Sequence, residues 1–354
     1  QGSSKGQDLT GLASGENYFG LHNYGNTCYL NSVLQSLYFC VPFRNKLLHY
    51  YENVKEASNK EEMDEDSLLF ALAEIFNEIN THKQQNGVHQ PKKFIKILQK
   101  KNELFRGLQH QDAHEFLNYL LNDIAETIES KRKTKEGEEV KKDPHKNGNT
   151  FVHQYFEGLL TNETRCLCCE NITSRDESFL DLSIDIEQNA SVTHCLRNFS
   201  SVETMRGSDK FYCNICRSLQ EAERRMRVKK VPEILVVHLK RFKYMETNRG
   251  HTLAKLSHRV VFPFEIKLPN TSVDAEEPDR LYELFSVVVH LGVGGNYGHY
   301  ICLVKSHGNW ILFDDEQLKK VDPLVMKAYF GSEKEEASNK TCGYLLFYQA
   351  KSSF

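Results

Sequence analysis

GLHNYGNTCYLNSVLQSL, Gly20 to Leu37, sets a single cysteine, Cys28, between a polar turn and an apolar run. Cys28 to Phe39 is mostly apolar and stops before Pro42, which reads as a compact helix opening at the cysteine. Gly25, Asn26 and Thr27 supply a loop with a glycine and a capping residue just ahead of it. The unpaired N–H groups of a helix N-terminus carry partial positive charge, and a thiolate is favoured there. Two readings stand side by side: a core thiol that opens a helix, or a nucleophile. A lone cysteine is more often the first, because free cysteine is among the most buried residue types. The remainder of the chain has to supply a base.

The chain has 354 residues, enough for a large core and roughly one to three domains. Its apolar fraction of 40% suits a globular protein, and a net charge of -3 with mixed signs offers no basic face for nucleic acid. The sequence has no run of about 18 apolar residues, so neither a membrane span nor a membrane partner is expected. Residues 1–17 are polar and glycine-rich, lack the apolar stretch of a secretory signal, and read as a disordered extension. Ten cysteines without such a signal suggest a reducing compartment, where thiols serve as core residues, metal ligands or nucleophiles rather than disulfides.

The first part of the chain reads helical. SLLFALAEIFNEINTH (Ser67 to His82) puts Leu68, Leu72, Ile75, Phe76 and Ile79 at helical spacing. Pro91 suits the first turn of a helix running to about Lys101. Gln111 to Lys133 carries Phe116, Leu117, Leu120, Leu121, Ile124 and Ile128 on one stripe of a long amphipathic helix. Lys131 to Asn149 is then nearly all charged or turn-forming and reads as an exposed insertion; its interleaved acids argue against a nucleic-acid arm. After Phe151 the pattern turns to strands. FLDLSIDI (Phe179 to Ile186) alternates strictly, and EILVVHLKRF (Glu233 to Phe242), FSVVVHL, HYICLVK, NWILF and GYLLFYQ are apolar runs between turns. Helices first and strands later argue an α+β fold.

The base candidate lies among those strands. GVGGNYGHY (Gly292 to Tyr300) holds His299 behind four glycines, where close backbone approach can place an imidazole at a cleft edge. The bland alternative is a loop histidine. NWILFDDEQ then puts Asp314 and Asp315 at a strand end, where a carboxylate bonded to the second imidazole nitrogen would fix its tautomer. The order cysteine, histidine, acid is that of papain-like enzymes with aspartate in place of asparagine. A separate signal comes from Cys166-x-x-Cys169 and Cys213-x-x-Cys216, two tight turns that together offer four thiolates to one structural zinc; Cys168 is a rival ligand. HQDAHEFL (His110 to Leu117) opens the long helix with Asp112 and Glu115 on one face. They either complement the helix dipole or form an anionic patch beside the cleft.

Together these boxes resemble the ubiquitin-specific proteases, a family of cysteine deubiquitinases. GLHNYGNTCYLNSVLQSL is similar to the family's cysteine box, QDAHEFL to its acidic motif, and HLKRF with YGHYICLVK, WILFDDE and GYLLFYQ to its histidine box. The likeness runs in order from about Tyr18 to Gln349. It implies a papain-like hand: thumb about 20–130, zinc-bearing fingers about 150–252, palm about 253–354, with residues 131–149 inserted. By position it makes Cys28 the nucleophile, His299 the base, Asp314 its orienter and Asp315 a polar helper. Asn23 matches the oxyanion-hole asparagine, Asp112 and Glu115 match positions that grip the ubiquitin tail, and Asn26 and Asn31 are left as structural hydrogen-bonders. The expected reaction is hydrolysis of the isopeptide bond after ubiquitin's C-terminal glycine, with a catalytically silent ubiquitin-binding scaffold as the alternative.

NYFGLHNYGNTCY, QDAHEFLNYLLN, LTNETRCLCCE, VTHCLRNFS and HLKRFKYM look closest to the short branch activated by WD-repeat proteins. That likeness implies a WD-repeat partner, with Arg224 to Lys230 and the loop around Thr247 to His251 as contact candidates. A cytoplasmic location, with the nucleus as the alternative compartment, is the expectation that goes with the reduced thiols.

Overall fold

A computed structural model of the protein describes residues 11–56, 64–107, 109–136, 150–247, 250–294, 297–334 and 340–351. Helices come first: α1 (Cys28–Tyr38), α2 (Val41–Glu56), α3 (Leu68–Asn80), α4 (Lys92–Lys101) and α5 (Ala113–Glu136). Two short helices, α6 (Phe151–Phe156) and α7 (Val192–Phe199), sit among the later strands.

The run after Cys28 is apolar because α1 is enclosed on every side: all of its residues are buried. It packs on α2 and α5 and, opposite them, on the strand His299–Ser306. Leu30, Val33, Leu34 and Leu37 are fully or almost fully buried, each contributing about 1.5–3 kcal/mol. Gln35 and Ser36 bond within the core, where an unpaired group would be costly. Gln35 Nε2 donates to the Phe19 carbonyl at 2.7 Å and Ser36 Oγ to the Ser32 carbonyl at 3.0 Å. The stripe of α3 is buried, and Ser67 Oγ caps the helix by accepting from the Phe70 N–H at 3.1 Å.

Strands His299–Ser306, Leu281–Leu291 and Cys342–Ala350 form the middle of an eight-stranded sheet. Asn309–Asp314 and Gln317–Val321 extend one edge, Ile234–Leu239 and Leu182–Ile184 the other, and Glu265–Lys267 pairs with Leu281–Leu291. Every pairing in it is antiparallel except that of Leu182–Ile184 with Ile234–Leu239. Both faces are covered. Tyr300, Cys302 and Val304 enter the core shared with the helices, while Ile301 and Leu303 enter a second core behind the sheet. A five-stranded sheet projects separately, built from Thr271–Glu276, Ala222–Lys230, Gly158–Cys166, Ile172–Phe179 and Glu203–Met205. Its strand Ile172–Phe179 is almost wholly exposed. Helices α1–α6 in the core on one side of a largely antiparallel sheet, with α7 in the core behind it, make the fold α+β.

Several boundaries read from the sequence move. Pro42 does not only stop α1; it sits in the first turn of α2, where its missing N–H has no helical partner to lose. Residues 11–17, expected to belong to a disordered extension, include side chains held in the fold. Glu16 forms a buried ion pair with Arg44 at 2.6 Å, and Asn17 Nδ2 donates to the Ile79 carbonyl at 2.8 Å; residues 1–10 lie outside the described ones. Lys131 to Glu136, expected within the charged insertion, continue α5; 137–149 are outside the described residues. The stretch 150–252 is not one finger unit. α6 buries Val152 and Phe156 in the helical core against Phe43, and Leu182–Ile184 and Ile234–Leu239 belong to the large sheet. Local pattern does not say which strands join which sheet; non-local pairing does.

Candidate active site

The turn before α1 is built around Asn23. Its Oδ1 accepts from the Gly25 N–H at 2.9 Å, the Thr27 N–H at 3.2 Å and Thr27 Oγ1 at 3.2 Å. Gly25 and Asn26 follow in the left-handed region, φ 90° and 57°, residue types that tolerate it. This tight turn delivers Cys28 as the first residue of α1, only 2% exposed. Burial by itself would raise the thiol. The side chains of His110 and His299 and the backbone of Tyr300 outweigh it and bring Cys28 down to about 7.

His299 opens its strand directly after Gly298. A Cβ at Gly298 would stand 2.5 Å from His290 Nε2 and closer still to the Leu291 carbonyl oxygen, so only glycine lets the loop pass. Lys255 ties down the base of that loop, its Nζ donating to the carbonyls of His290, Gly292 and Lys340 at 3.0, 2.9 and 2.5 Å. Burial brings this lysine down to about 8. His299 Nε2 donates to Asp314 Oδ1 at 2.6 Å, which leaves Nδ1 for the thiol. Asp314 first, and Cys28 after it, raise His299 to about 10. A lowered thiol facing a raised imidazole favours the ion pair.

The two aspartates diverge because Asp315 adopts φ 48° at the strand end. Asp314 turns to His299 and is 48% exposed, whereas Asp315 is 14% exposed and turns toward α1. Its Oδ2 accepts from Asn23 Nδ2 at 2.7 Å and its Oδ1 from Asn31 Nδ2 at 2.8 Å. Asp315 Oδ2 lies 4.0 Å from His299 Nε2. Asn31, read from the sequence as a structural residue, therefore shares a carboxylate with Asn23.

His110 was not singled out by the sequence. It lies in the loop before α5, outside any helical or strand period, and only the packing of that loop over Cys28 reveals it. Asp112 acts first as a helix cap. Its Oδ1 accepts from the N–H groups of His114 and Glu115 at 2.7 and 3.2 Å, and its Oδ2 from Tyr344 OH at 2.5 Å. Glu115 is exposed on the first turn of α5. In the same turn, His114 bonds Asp181 at 2.8 Å and stacks on His238 with ring centroids 3.7 Å apart, tying α5 to the sheet.

The four cysteines of the two CxxC pairs converge at the end of the five-stranded sheet, with Sγ atoms all within 4.8 Å of one another. Cys166 and Cys216 Sγ are 3.9 Å apart, and Cys169 and Cys213 Sγ 3.6 Å. A tetrahedral zinc with Zn–S of about 2.3 Å needs sulfurs about 3.8 Å apart, so the donor set fits that ion. Cys168 is exposed and outside the cluster. Four thiolates leave no open position, so the ion they suit is structural.

A thiol at a helix N-terminus, with an imidazole and carboxylate carried by the facing sheet, defines a cysteine hydrolase. The chain belongs to the ubiquitin carboxyl-terminal hydrolase family, whose model matches residues 19–348. It is 53% identical over 353 residues to ubiquitin carboxyl-terminal hydrolase 4 of Arabidopsis thaliana, covering 95% of this chain and 94% of the relative. It is also 53% identical over 346 residues to ubiquitin carboxyl-terminal hydrolase 12 of Salmo salar, covering 95% and 90%. Among solved structures it is similar to the SAGA Ubp8/Sgf11/Sus1/Sgf73 DUB module bound to ubiquitin aldehyde. The TM-score there is 0.76 at 27% identity, covering 96% of this chain and 71% of that one. The yeast SAGA DUB module with an Sgf73 substitution matches at TM-score 0.74 and 27% identity, covering 96% and 70%.

Proposed function

We propose that the protein is a deubiquitinase that hydrolyses the isopeptide bond after the C-terminal glycine of ubiquitin. The observation that carries this reading is the His299–Asp314 bond of 2.6 Å beside Cys28. Cys28 thiolate attacks the terminal carbonyl, and the charge moves to its oxygen. The second amide hydrogen of Asn23 and the N–H groups at the start of α1 meet that oxyanion. Removing one such donor typically costs about 2.7–4 kcal/mol. Asp315 fixes the direction of the Asn23 amide. His299 Nδ1–H protonates the leaving lysine amine, then takes a proton from the water that cleaves the acyl-enzyme. Glu115 on the rim suits a basic, extended tail, and Asp112 holds the start of α5 in place.

The cysteines at the finger tip would hold a structural zinc that braces the sheet gripping the body of ubiquitin. A WD-repeat activator docking on the fingers belongs to the same reading, resting on the sequence boxes of the short branch. Arg224, Arg225, Arg227 and Lys229 along Ala222–Lys230 already pair with Glu203, Glu163 and Asp176, so a partner would meet a neutralised stripe. The contact candidate around Thr247 includes residues 248–249, outside the described ones. The silent-scaffold alternative is disfavoured by the intact Cys28, His299 and Asp314 set.

The test is a ubiquitin-terminated fluorogenic substrate with Cys28→Ala. Loss of hydrolysis with retained ubiquitin binding supports the reading; unchanged hydrolysis sinks it.

A further inference from the structure

Two imidazoles, not one, lie at Cys28. His110 comes from the loop before α5, which packs against the strand that carries His299. Its Nδ1 is 3.2 Å from the Gln111 carbonyl oxygen, which places a proton on that nitrogen. Its Nε2 is shielded from solvent and has no hydrogen-bond partner among the described residues. The ring is fixed between aromatic neighbours, 5.1 Å from Tyr300 and 5.8 Å from His290 by ring centroid. A buried ring nitrogen without a partner is costly and calls for an explanation. The group it faces is the thiol of Cys28.

We propose that His110 is a second histidine of the nucleophile, whose Nε2 shares the Cys28 thiol proton with His299 and hydrogen-bonds the thiolate. This rests on Cys28 being the nucleophile. Neutral His110 accepts the Sγ–H; charged His110 donates to the thiolate; the sulfur is favoured as an anion in both cases. The other titratable groups facing this pair are His299 with Asp314, His290, Tyr300 and Tyr29, with Asp112 acting through Tyr300. Burial, then the nearby Lys255, hold His290 neutral by pushing it down to about 2, so it cannot substitute for His110 as a proton carrier. His110 itself is raised: burial opposes the charged form, but the neighbouring Cys28, with the backbone of Gln111 and Gly298, outweighs it.

The test is the rate of Cys28 alkylation by iodoacetamide across pH, read by mass spectrometry of the Cys28 peptide. It is run on wild type, His110→Gln, His110→Ala, His299→Ala and the His110→Ala/His299→Ala double variant. Ubiquitin is absent, so substrate binding does not enter. His110→Ala is expected to lower the rate at neutral pH about tenfold, a one-unit shift of the thiolate midpoint, with rates converging at alkaline pH. His110→Gln can donate but cannot carry a proton, so it should fall between. The double variant should react more slowly than His299→Ala alone. Profiles of the His110 variants that superimpose on wild type, or a double variant equal to His299→Ala, overturn the proposal. Should His110→Ala melt early, His110→Gln decides by the same criterion. Failure of this inference leaves Cys28 alkylated and hydrolysis dependent on it, whereas failure of the proposed function appears as hydrolysis by Cys28→Ala.

Discussion

Replacing Asp315 by alanine takes one carboxylate away from two amides. Asn23 Nδ2 and Asn31 Nδ2 donate to its two oxygens at 2.7 and 2.8 Å, and the carboxylate is 14% exposed. A buried donor left unpaired costs about 1–3 kcal/mol. Asn31, 2% exposed within α1, keeps its bond to the Leu21 carbonyl at 3.2 Å and loses the partner of its other amide hydrogen, so the low end of that cost falls on stability. For Asn23 it falls on the reaction: Oδ1 keeps its three bonds in the turn, but Nδ2 loses the acceptor that aims its second hydrogen at the oxyanion. The loss there is about 2.7–4 kcal/mol, or roughly a hundredfold to a thousandfold in kcat.

Asp314→Ala is the comparison. Its bond to His299 is charge-assisted, but at 48% exposure water can take the carboxylate's place. A loss of about 1.5 kcal/mol, near tenfold, follows from the low end of such bonds. Asp315→Asn keeps one acceptor oxygen and should fall between the two. The assay is kcat and KM on a ubiquitin C-terminal fluorogenic substrate, with Tm measured in parallel. Asp315→Ala should lose kcat with KM nearly held and should melt earlier. An Asp315→Ala enzyme within threefold of wild type beside an inactive Asp314→Ala would refute the reasoning.

The pH profile of kcat/KM should be a bell, rising through about 7 as Cys28 ionises and falling through about 10 as His299 loses its proton. Substituting Asp314 removes the largest cause of the raised histidine and should pull the alkaline limb down; an alkaline limb that stays in place contradicts this assignment. Metal analysis should find about one zinc per chain, lost in Cys213→Ser. That variant should raise KM for ubiquitin substrates while leaving Cys28 alkylation unchanged. Gly298→Ala must push against the His290 ring and the Leu291 carbonyl, so it should displace His299 and cut kcat more than tenfold, with a small change in Tm. A wild-type rate in that variant would show that the loop has room to spare.

The α+β order was legible because helical and strand periods occupy different halves of the chain. Leu68, Leu72, Ile75, Phe76 and Ile79 announced α3, and the alternation in FLDLSIDI announced a strand. Cys28, His299 and Asp314 were legible as residue types in a chemically sensible order. What the sequence could not display was partnership across the fold. Asp315 reads as the second acid of a turn until its φ of 48° aims it at two amides nearly three hundred residues away. His110 carries no period and no spacing rule. Leu182–Ile184 lies beside Ile234–Leu239 only through a parallel pairing that local pattern cannot specify. Asp112 was legible as an acid at a helix start, and the structure accounts for it largely as that: a cap with a tyrosine on its other oxygen.

The central claim is that Cys28 is the atom acylated by ubiquitin. It is tested most directly with ubiquitin carrying an electrophile at its C-terminus, followed by peptide mapping of the adduct. One ubiquitin per chain, attached at Cys28 and lost in Cys28→Ala, is the predicted result. An adduct at any other of the ten cysteines, or none on a folded chain that still hydrolyses ubiquitin substrates, would contradict it.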